Sequence, residues 1–194
     1  MESDDSNFFV FEGLDGVGKS TVAEAFADEI NAVYLESPGP GISKIREYVD
    51  RDEHSKQTQF LMYTASNSAV SDQVNSHLSN GEDVVLDRYY PTTVVYNEID
   101  ENEEPGRWYE LIDEFDFTEP DQMFYLHTDR ETRIERKTGR NQEGSTGKDA
   151  DVLGPQRAEE EYEKAVEAFD MTRIEAVDGV QNVVDRLLNE ADIV

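Results

Sequence analysis

Cysteine is absent from the 194 residues, which removes disulfides, thiolate metal sites and cysteine nucleophiles together and leaves the redox compartment unreadable. Basic side chains are scarce: 17 Lys and Arg stand against 45 Asp and Glu, for a formal net charge of -28. A surface of that sign repels DNA, RNA and anionic lipid, so neither nucleic acid nor a membrane is expected as a partner, and any anionic ligand needs a local exception. No segment reaches the roughly 18 apolar residues needed to cross a bilayer, and the opening residues 1–7 hold no basic region followed by an apolar stretch. The expectation is a soluble cytoplasmic protein. His54, His77 and His127 fall in no metal-ligand spacing and are assigned no chemistry.

The acid excess is spread along the chain rather than confined to a tail, so it reads as a solvated coat over a folded domain. We read it as adaptation to high salt of the haloarchaeal kind, with an ordinary acidic protein as the alternative. In molar salt the Debye length falls to about 3 Å, so a crowded acidic surface stops repelling itself while short contacts inside a pocket persist. Only 37% of residues are hydrophobic, yet nine Phe and nine Tyr are among the residues, and apolar segments recur over the whole length. That supports one folded domain over 1–194.

Apolar runs near Phe8–Glu12, Ala32–Glu36, Asp83–Leu86, Met123–His127 and Thr172–Val177 read as strands. Between them, helical patterns fall at Ser20–Ile30, Ile42–Val49, Gln57–Asn80, after Pro91, at Trp108–Phe115, Asp129–Thr138 and Pro155–Phe169, with a closing one at Val180–Ala191. Strands alternating with helices predict an α/β fold, a three-layer α/β/α sandwich around a five-stranded parallel sheet. Gly139 to Gly147, rich in Gly, Asn, Ser and Thr, reads as a mobile segment.

Gly13-Leu14-Asp15-Gly16-Val17-Gly18-Lys19-Ser20 fits G-x-x-x-x-G-K-[ST], the P-loop pattern, and lies between an expected strand and an expected helix. The pattern arises by chance in on the order of one chain in 100 of this length, and the right placement makes coincidence rarer still. Glycines let successive N–H groups turn toward a phosphate, Lys19 bridges terminal phosphates, and the Ser20 hydroxyl can coordinate magnesium. Asp87-Arg88-Tyr89 follows the third strand at the sheet edge where open α/β folds bind ligands. There Asp87 could hold magnesium or its waters, and Arg88 could clamp a phosphoryl group.

Phe9 to Thr21, Asp87-Arg88-Tyr89 and a basic segment after the fourth strand come in the order seen in thymidylate kinases, which the chain resembles over nearly its whole length. The resemblance implies the P-loop NTPase fold and transfer of the γ-phosphoryl group of ATP, with Mg2+, to a deoxynucleotide such as dTMP. It implies that Gly13, Asp15, Gly16, Val17, Gly18, Lys19, Ser20 and Thr21 hold ATP, and that Ser20 and Asp87 serve the metal. Asp15 would touch the acceptor's sugar hydroxyl and Arg88 the phosphates of both substrates. Tyr63 falls at the aromatic position that stacks on thymine, while Asn67 replaces the arginine four residues later. Glu36-Ser37-Pro38-Gly39 stands where the family usually has Arg-Glu-Pro-Gly. Thr92, Thr93, Tyr96 and Asn97 take the spacing of base or sugar contacts, and Arg46 that of an acceptor-phosphate ligand; a homodimer is implied as well.

Arg130, Arg133, Arg136, Lys137 and Arg140 fall within eleven residues, the local exception in a chain this acidic. At 100° per residue, Arg130, Arg133, Lys137 and Arg140 share one side of a helix; pairing with neighbouring acids such as Asp129 and Glu135 is the alternative use. In the related kinases this region is a lid, placed here at about 139–150, with Arg133, Arg136 and Arg140 as catalytic candidates beside Lys19, Asp87 and Arg88. Two other functions stay open. One is a deoxynucleoside kinase in which Glu36 acts as base toward a sugar hydroxyl. The other is a non-catalytic nucleotide-binding regulator, although no guanine-reading Asn-Lys-x-Asp motif occurs.

Overall fold

The computed structural model describes residues 6–39, 45, 49, 54–99, 104–141 and 157–193, with only the helical backbone for 137–141. Five strands form one parallel sheet: β1 (Phe8–Glu12), β2 (Val33–Glu36), β3 (Val84–Asp87), β4 (Gln122–His127) and β5 (Thr172–Glu175), in the order β2-β3-β1-β4-β5. The expected α/β architecture and five-stranded sheet are observed.

The central strand β1 is apolar without a break before Glu12 because both of its faces are covered. With a side-chain period of two, Phe8 and Val10 enter one core and Phe9 and Phe11 the other. The first core takes Phe60, Val70 and Val74 from α2 (Lys56–Leu78), Val94 and Val95 from α3 (Tyr90–Glu98), Trp108 from α4 (Arg107–Ile112), and Ala158, Tyr162 and Ala165 from α6 (Arg157–Ala168). The second takes Val22, Ala23 and Phe26 from α1 (Lys19–Ile30) and Val183, Val184 and Leu187 from α7 (Val180–Glu190). Phe26 meets Phe9 edge-on at 5.4 Å and Phe11 at the same distance, which seats α1 directly on the central strand.

Register positions the site. Phe11 is level with Asp87 and Glu12 with Tyr125, so β1 and β3 end within one residue of each other while β4 runs two residues further, to His127. The connection from β1 leads to β2 on one side, and the chain leaving β3 crosses to β4 on the other, so the crevice opens at the carboxyl ends of the adjacent β1 and β3.

One expectation is corrected. Gly139 does not end the helix after β4: α5 runs from Arg130 to Asn141. A lone glycine costs a helix only about 1 kcal/mol, too little to stop one otherwise built of good formers. Residues 142–150, with Gly144 and Gly147, lie outside the described residues, as do Arg46 and nearly all of the helix expected at Ile42–Val49.

Candidate active site

The loop from Gly13 to Gly18 turns back on itself through three positive φ angles, 148° at Gly13, 85° at Gly16 and 97° at Gly18. Gly16 lies under the backbone of α5, since a Cβ there would sit 2.8 Å from the Arg133 carbonyl oxygen. Lys19 opens α1 and is buried, and its ammonium pairs with Asp87 Oδ1. Burial lowers its pKa, as does the charge of Arg88, against the opposing pull of Asp87 and Glu12. Asp87 also accepts a hydrogen bond from the Tyr34 hydroxyl at 3.3 Å. Ser20 is exposed beside it in the first turn, Val17 is buried, and Thr21 is exposed on α1.

Arg88 follows with a left-handed backbone, φ 70°, anchored by its N–H on the Phe11 carbonyl at 3.0 Å. Its guanidinium donates to Asp15 Oδ1 at 2.5 Å, to Thr92 Oγ1 at 3.1 Å and to the Tyr162 hydroxyl at 3.4 Å. Burial opposes its charge, but Tyr162, Tyr96, Asp15 and Glu12 outweigh that and raise its pKa further.

These groups line a cavity of about 750 Å³. Gly16, Lys19, Ser20, Asp87 and Arg88 are in its wall, and so are Glu36, Tyr63, Thr92, Thr93, Tyr96 and Asn97. Asn97 is oriented by its own helix: its Nδ2 donates to the Thr93 carbonyl at 2.7 Å, which can only accept. Its buried Oδ1 therefore remains an acceptor with no partner among the described residues.

Not every expected residue reaches the cavity. Asn67 is 1% exposed, and its amide is used within the protein, accepting from Ser37 Oγ at 3.1 Å and donating to Thr93 Oγ1 at 3.0 Å. On α5, Arg133 is 2% exposed and paired with Glu159 of α6. Arg136 donates to the carbonyls of Val17 at 2.5 Å and Ala176 at 2.8 Å, which ties α5 to the back of the phosphate loop. Arg130 is exposed, and the side chains of Lys137 and Arg140 lie outside the described residues.

Several residues come together here that the sequence reading passed over. Lys56 and Gln59, in the first turn of α2, line the cavity. Glu12, Tyr34 and Tyr162 hold the groups that do. Glu12 carried a signal, being the one acid in an otherwise apolar strand, whereas nothing in the acidic stretch around Tyr162 marks it out.

The sequence model of thymidylate kinase matches residues 11–187. Thymidylate kinase of Ruegeria pomeroyi is 32% identical over 148 residues, covering 69% of this chain and 68% of its own. The probable thymidylate kinase of Methanococcus vannielii is also 32% identical, over 142 residues, with 71% and 69% covered. In three dimensions the crystal structure of thymidylate kinase from Ehrlichia chaffeensis superposes with a TM-score of 0.71 at 17% identity, covering 96% of this chain and 98% of that one, which speaks for the fold. The family match spans the phosphate loop, the Asp87-Arg88 pair and the cavity between them, and on that ground this chain is a phosphotransferase belonging to the thymidylate kinase family.

Proposed function

We propose that this chain transfers the γ-phosphoryl group of ATP to the 5′-phosphate of dTMP. An acceptor phosphate oxygen bonds to the γ-phosphorus as the bond to the β–γ bridging oxygen breaks, leaving dTDP and ADP. One observation carries the reading: a single cavity is lined both by the phosphate loop with Lys19, Asp87 and Arg88 and by Tyr63, Tyr96 and Asn97. Donor and acceptor can thus share one cavity, and phosphoryl transfer asks for little beyond alignment and charge neutralisation.

In this reading Gly13, Asp15, Gly16, Val17, Gly18, Lys19, Ser20 and Thr21 form the ATP-binding turn. Lys19 and Arg88 offset charge on the transferred group, and Asp15 has a carboxylate in reach of both Arg88 and an acceptor hydroxyl. The residues present fit magnesium: Ser20 is exposed at the loop and Asp87 faces the same space. Among the described residues no cluster of three or more His, Cys, Asp or Glu forms a cage, which suits an ion held largely by substrate phosphates and water. Bound there, the ion would neutralise phosphate charge. Arg136 acts as a brace of the phosphate loop. Arg133, on α5, is taken up by Glu159, so Arg140 remains the candidate for phosphate contact from the lid, about 139–150, and Arg46 for the acceptor phosphate.

Asn97 supplies the base selectivity. An amide carbonyl at this cavity-lining position matches the N3–H of thymine, whereas cytosine presents an acceptor at N3, and an unpaired buried polar atom costs roughly 1–3 kcal/mol. Tyr63 and Tyr96 line the same cavity and offer rings on which a base can stack.

With ATP and magnesium in molar potassium chloride, dTMP is expected to release ADP faster than dCMP, dGMP or thymidine. Preferential use of thymidine would move the acceptor chemistry to Glu36, which lines the cavity, and make the chain a nucleoside kinase. A salt optimum near molar concentration and a dimer by light scattering are parts of the same reading. Lys56 restores a cation on the acceptor side, where Asn67 and Glu36 bring none. Lys56→Ala is expected to raise KM for dTMP about five- to tenfold with kcat nearly unchanged, the pattern of uniform binding lost.

A further inference from the structure

Glu12 is fully buried at the end of β1, next to the phosphate loop, yet it does not line the cavity. Burial raises its pKa, and Arg88, Thr92, the Tyr89 backbone and Lys19 act against that in favour of the charged form. Its Oε1 accepts from the N–H of Tyr89 at 2.9 Å and of Thr92 at 3.3 Å. Its Oε2 accepts from the Thr92 hydroxyl at 2.5 Å and lies 3.1 Å from the Tyr162 hydroxyl.

We propose that Glu12 is a positioning residue for the transfer reaction, setting the aim of the Arg88 guanidinium through Thr92 and Tyr162. The inference rests on the reading of Arg88 as the clamp on the phosphoryl group.

A carboxylate only accepts hydrogen bonds, and a guanidinium only donates them. Thr92 has one hydroxyl hydrogen and gives it to Glu12. Tyr162, 2.8 Å from Thr92, gives its own to Glu12 or to Thr92. In either case no hydroxyl hydrogen faces Arg88, and both oxygens turn lone pairs toward its Nη1. With Nη2 fixed on Asp15, the planar fork has one orientation. The same carboxylate holds the backbone N–H groups of Tyr89, next after Arg88, and of Thr92, one turn on, which secures the left-handed φ of 70° at the carboxyl end of β3. Elements from both ends of the chain thereby converge on one cation: β1, the start of α3, and α6.

An amide in place of the carboxylate breaks this logic while keeping the shape. In Glu12→Gln one oxygen becomes an NH2 donor, and either the backbone N–H groups or the hydroxyls then meet a donor where they met an acceptor. Hydroxyls forced to accept from Gln turn their hydrogens toward Arg88.

The test measures ADP release from ATP and dTMP for Glu12→Gln, Arg88→Ala and the double variant, with thermal melts of each. Glu12→Gln is expected to lower kcat about 10- to 100-fold, the scale of a catalytic group misplaced by about 1 Å, with KM for ATP changed less than about threefold. Arg88→Ala is expected to lower kcat more than about 100-fold. In the Arg88→Ala background Glu12→Gln should then cost nothing further, because there is no guanidinium left to aim. Losses that multiply, or an unchanged kcat in Glu12→Gln, overturn the inference and leave the role of Arg88 standing. A fully active Arg88→Ala overturns the clamp reading and the inference with it. If Glu12→Gln shows no melting transition, Tyr162→Phe carries the test, since it removes one hydroxyl and keeps the ring. Its expected loss of about three- to tenfold in kcat must likewise vanish in Arg88→Ala.

Discussion

Replacing Lys19 with Met is expected to lower kcat by about two to three orders of magnitude, the scale of losing one preorganised charge aimed at the transition state. Met keeps the length and apolar stem of the side chain and removes the ammonium alone. The substitution also strips the buried Asp87 of its ion-pair partner, leaving the Tyr34 hydroxyl as the contact that supports it. Breaking one side of a buried pair typically costs roughly 3–5 kcal/mol. For a chain of this length that corresponds to a fall in Tm on the order of 10 °C. Loss of activity could then be mistaken for loss of fold, and a second substitution separates them. Adding Asp87→Asn to Lys19→Met removes the stranded charge, so much of the Tm should return while kcat stays at the Lys19→Met level or below. Recovery of activity in the double variant would show that Lys19 serves only to neutralise Asp87, and the phosphate role would have to be given up. The readouts are ADP release and thermal melts in the same molar salt.

The parts of this site that could be read from the sequence are those held by neighbours in the chain. The phosphate loop is eight consecutive residues, and its glycines, lysine and serine carry their chemistry wherever a strand delivers them. Asp87 and Arg88 were legible because the end of a parallel strand is a position with known geometry. The supporting contacts were not legible, since Glu12 meets Tyr89, Thr92 and Tyr162 across 77, 80 and 150 positions. No local pattern encodes such meetings; they follow from the order β2-β3-β1-β4-β5 and from α6 packing over the ends of its strands.

The basic cluster shows a subtler limit. Helical spacing grouped Arg130, Arg133, Lys137 and Arg140 on one side of α5, but spacing does not say which side faces the loop. The backbone of Arg133 rests on Gly16, and the next turn delivers Arg136 to the Val17 carbonyl, while the Arg133 side chain runs to Glu159. Asn67 makes the same point on α2. Phe60, Thr64, Asn67, Ser71 and Val74 follow the buried helical stripe, and Asn67 and Ser71 are tolerated there because the fold supplies Thr93 and Thr118 as partners, whereas the Thr64 hydroxyl has none among the described residues. A residue at a binding-site spacing became a strut between α2 and α3.

Gly13→Ala is expected to be the most destabilising of the conservative changes in the phosphate loop. At φ 148° the backbone of Gly13 already disfavours any L side chain, and an added Cβ would stand 2.5 Å from the Leu126 carbonyl oxygen and 3.3 Å from Val17 Cγ1. The first of these is main chain of β4, held between β1 and β5 with Leu126 level with Ile174, so it cannot swing aside as a side chain would. Strain of this kind costs about 1–3 kcal/mol before the clash is added, for a total of roughly 2–4 kcal/mol. At about 2–4 °C per kcal/mol for this chain length, Tm should fall by on the order of 5–15 °C. Gly106→Ala is the matched control: its φ of 84° is also left-handed, but nothing lies within 4 Å of the added methyl. It should lose only the conformational part, about 1–2 kcal/mol, and leave ADP release unchanged. ATP should protect wild type and Gly106→Ala in a melt and protect Gly13→Ala far less, because the amides that face the phosphates move with the displaced turn. Equal Tm losses in the two alanine variants would mean that β4 yields to the methyl group, and that the phosphate loop is less firmly fixed to the sheet than its contacts require.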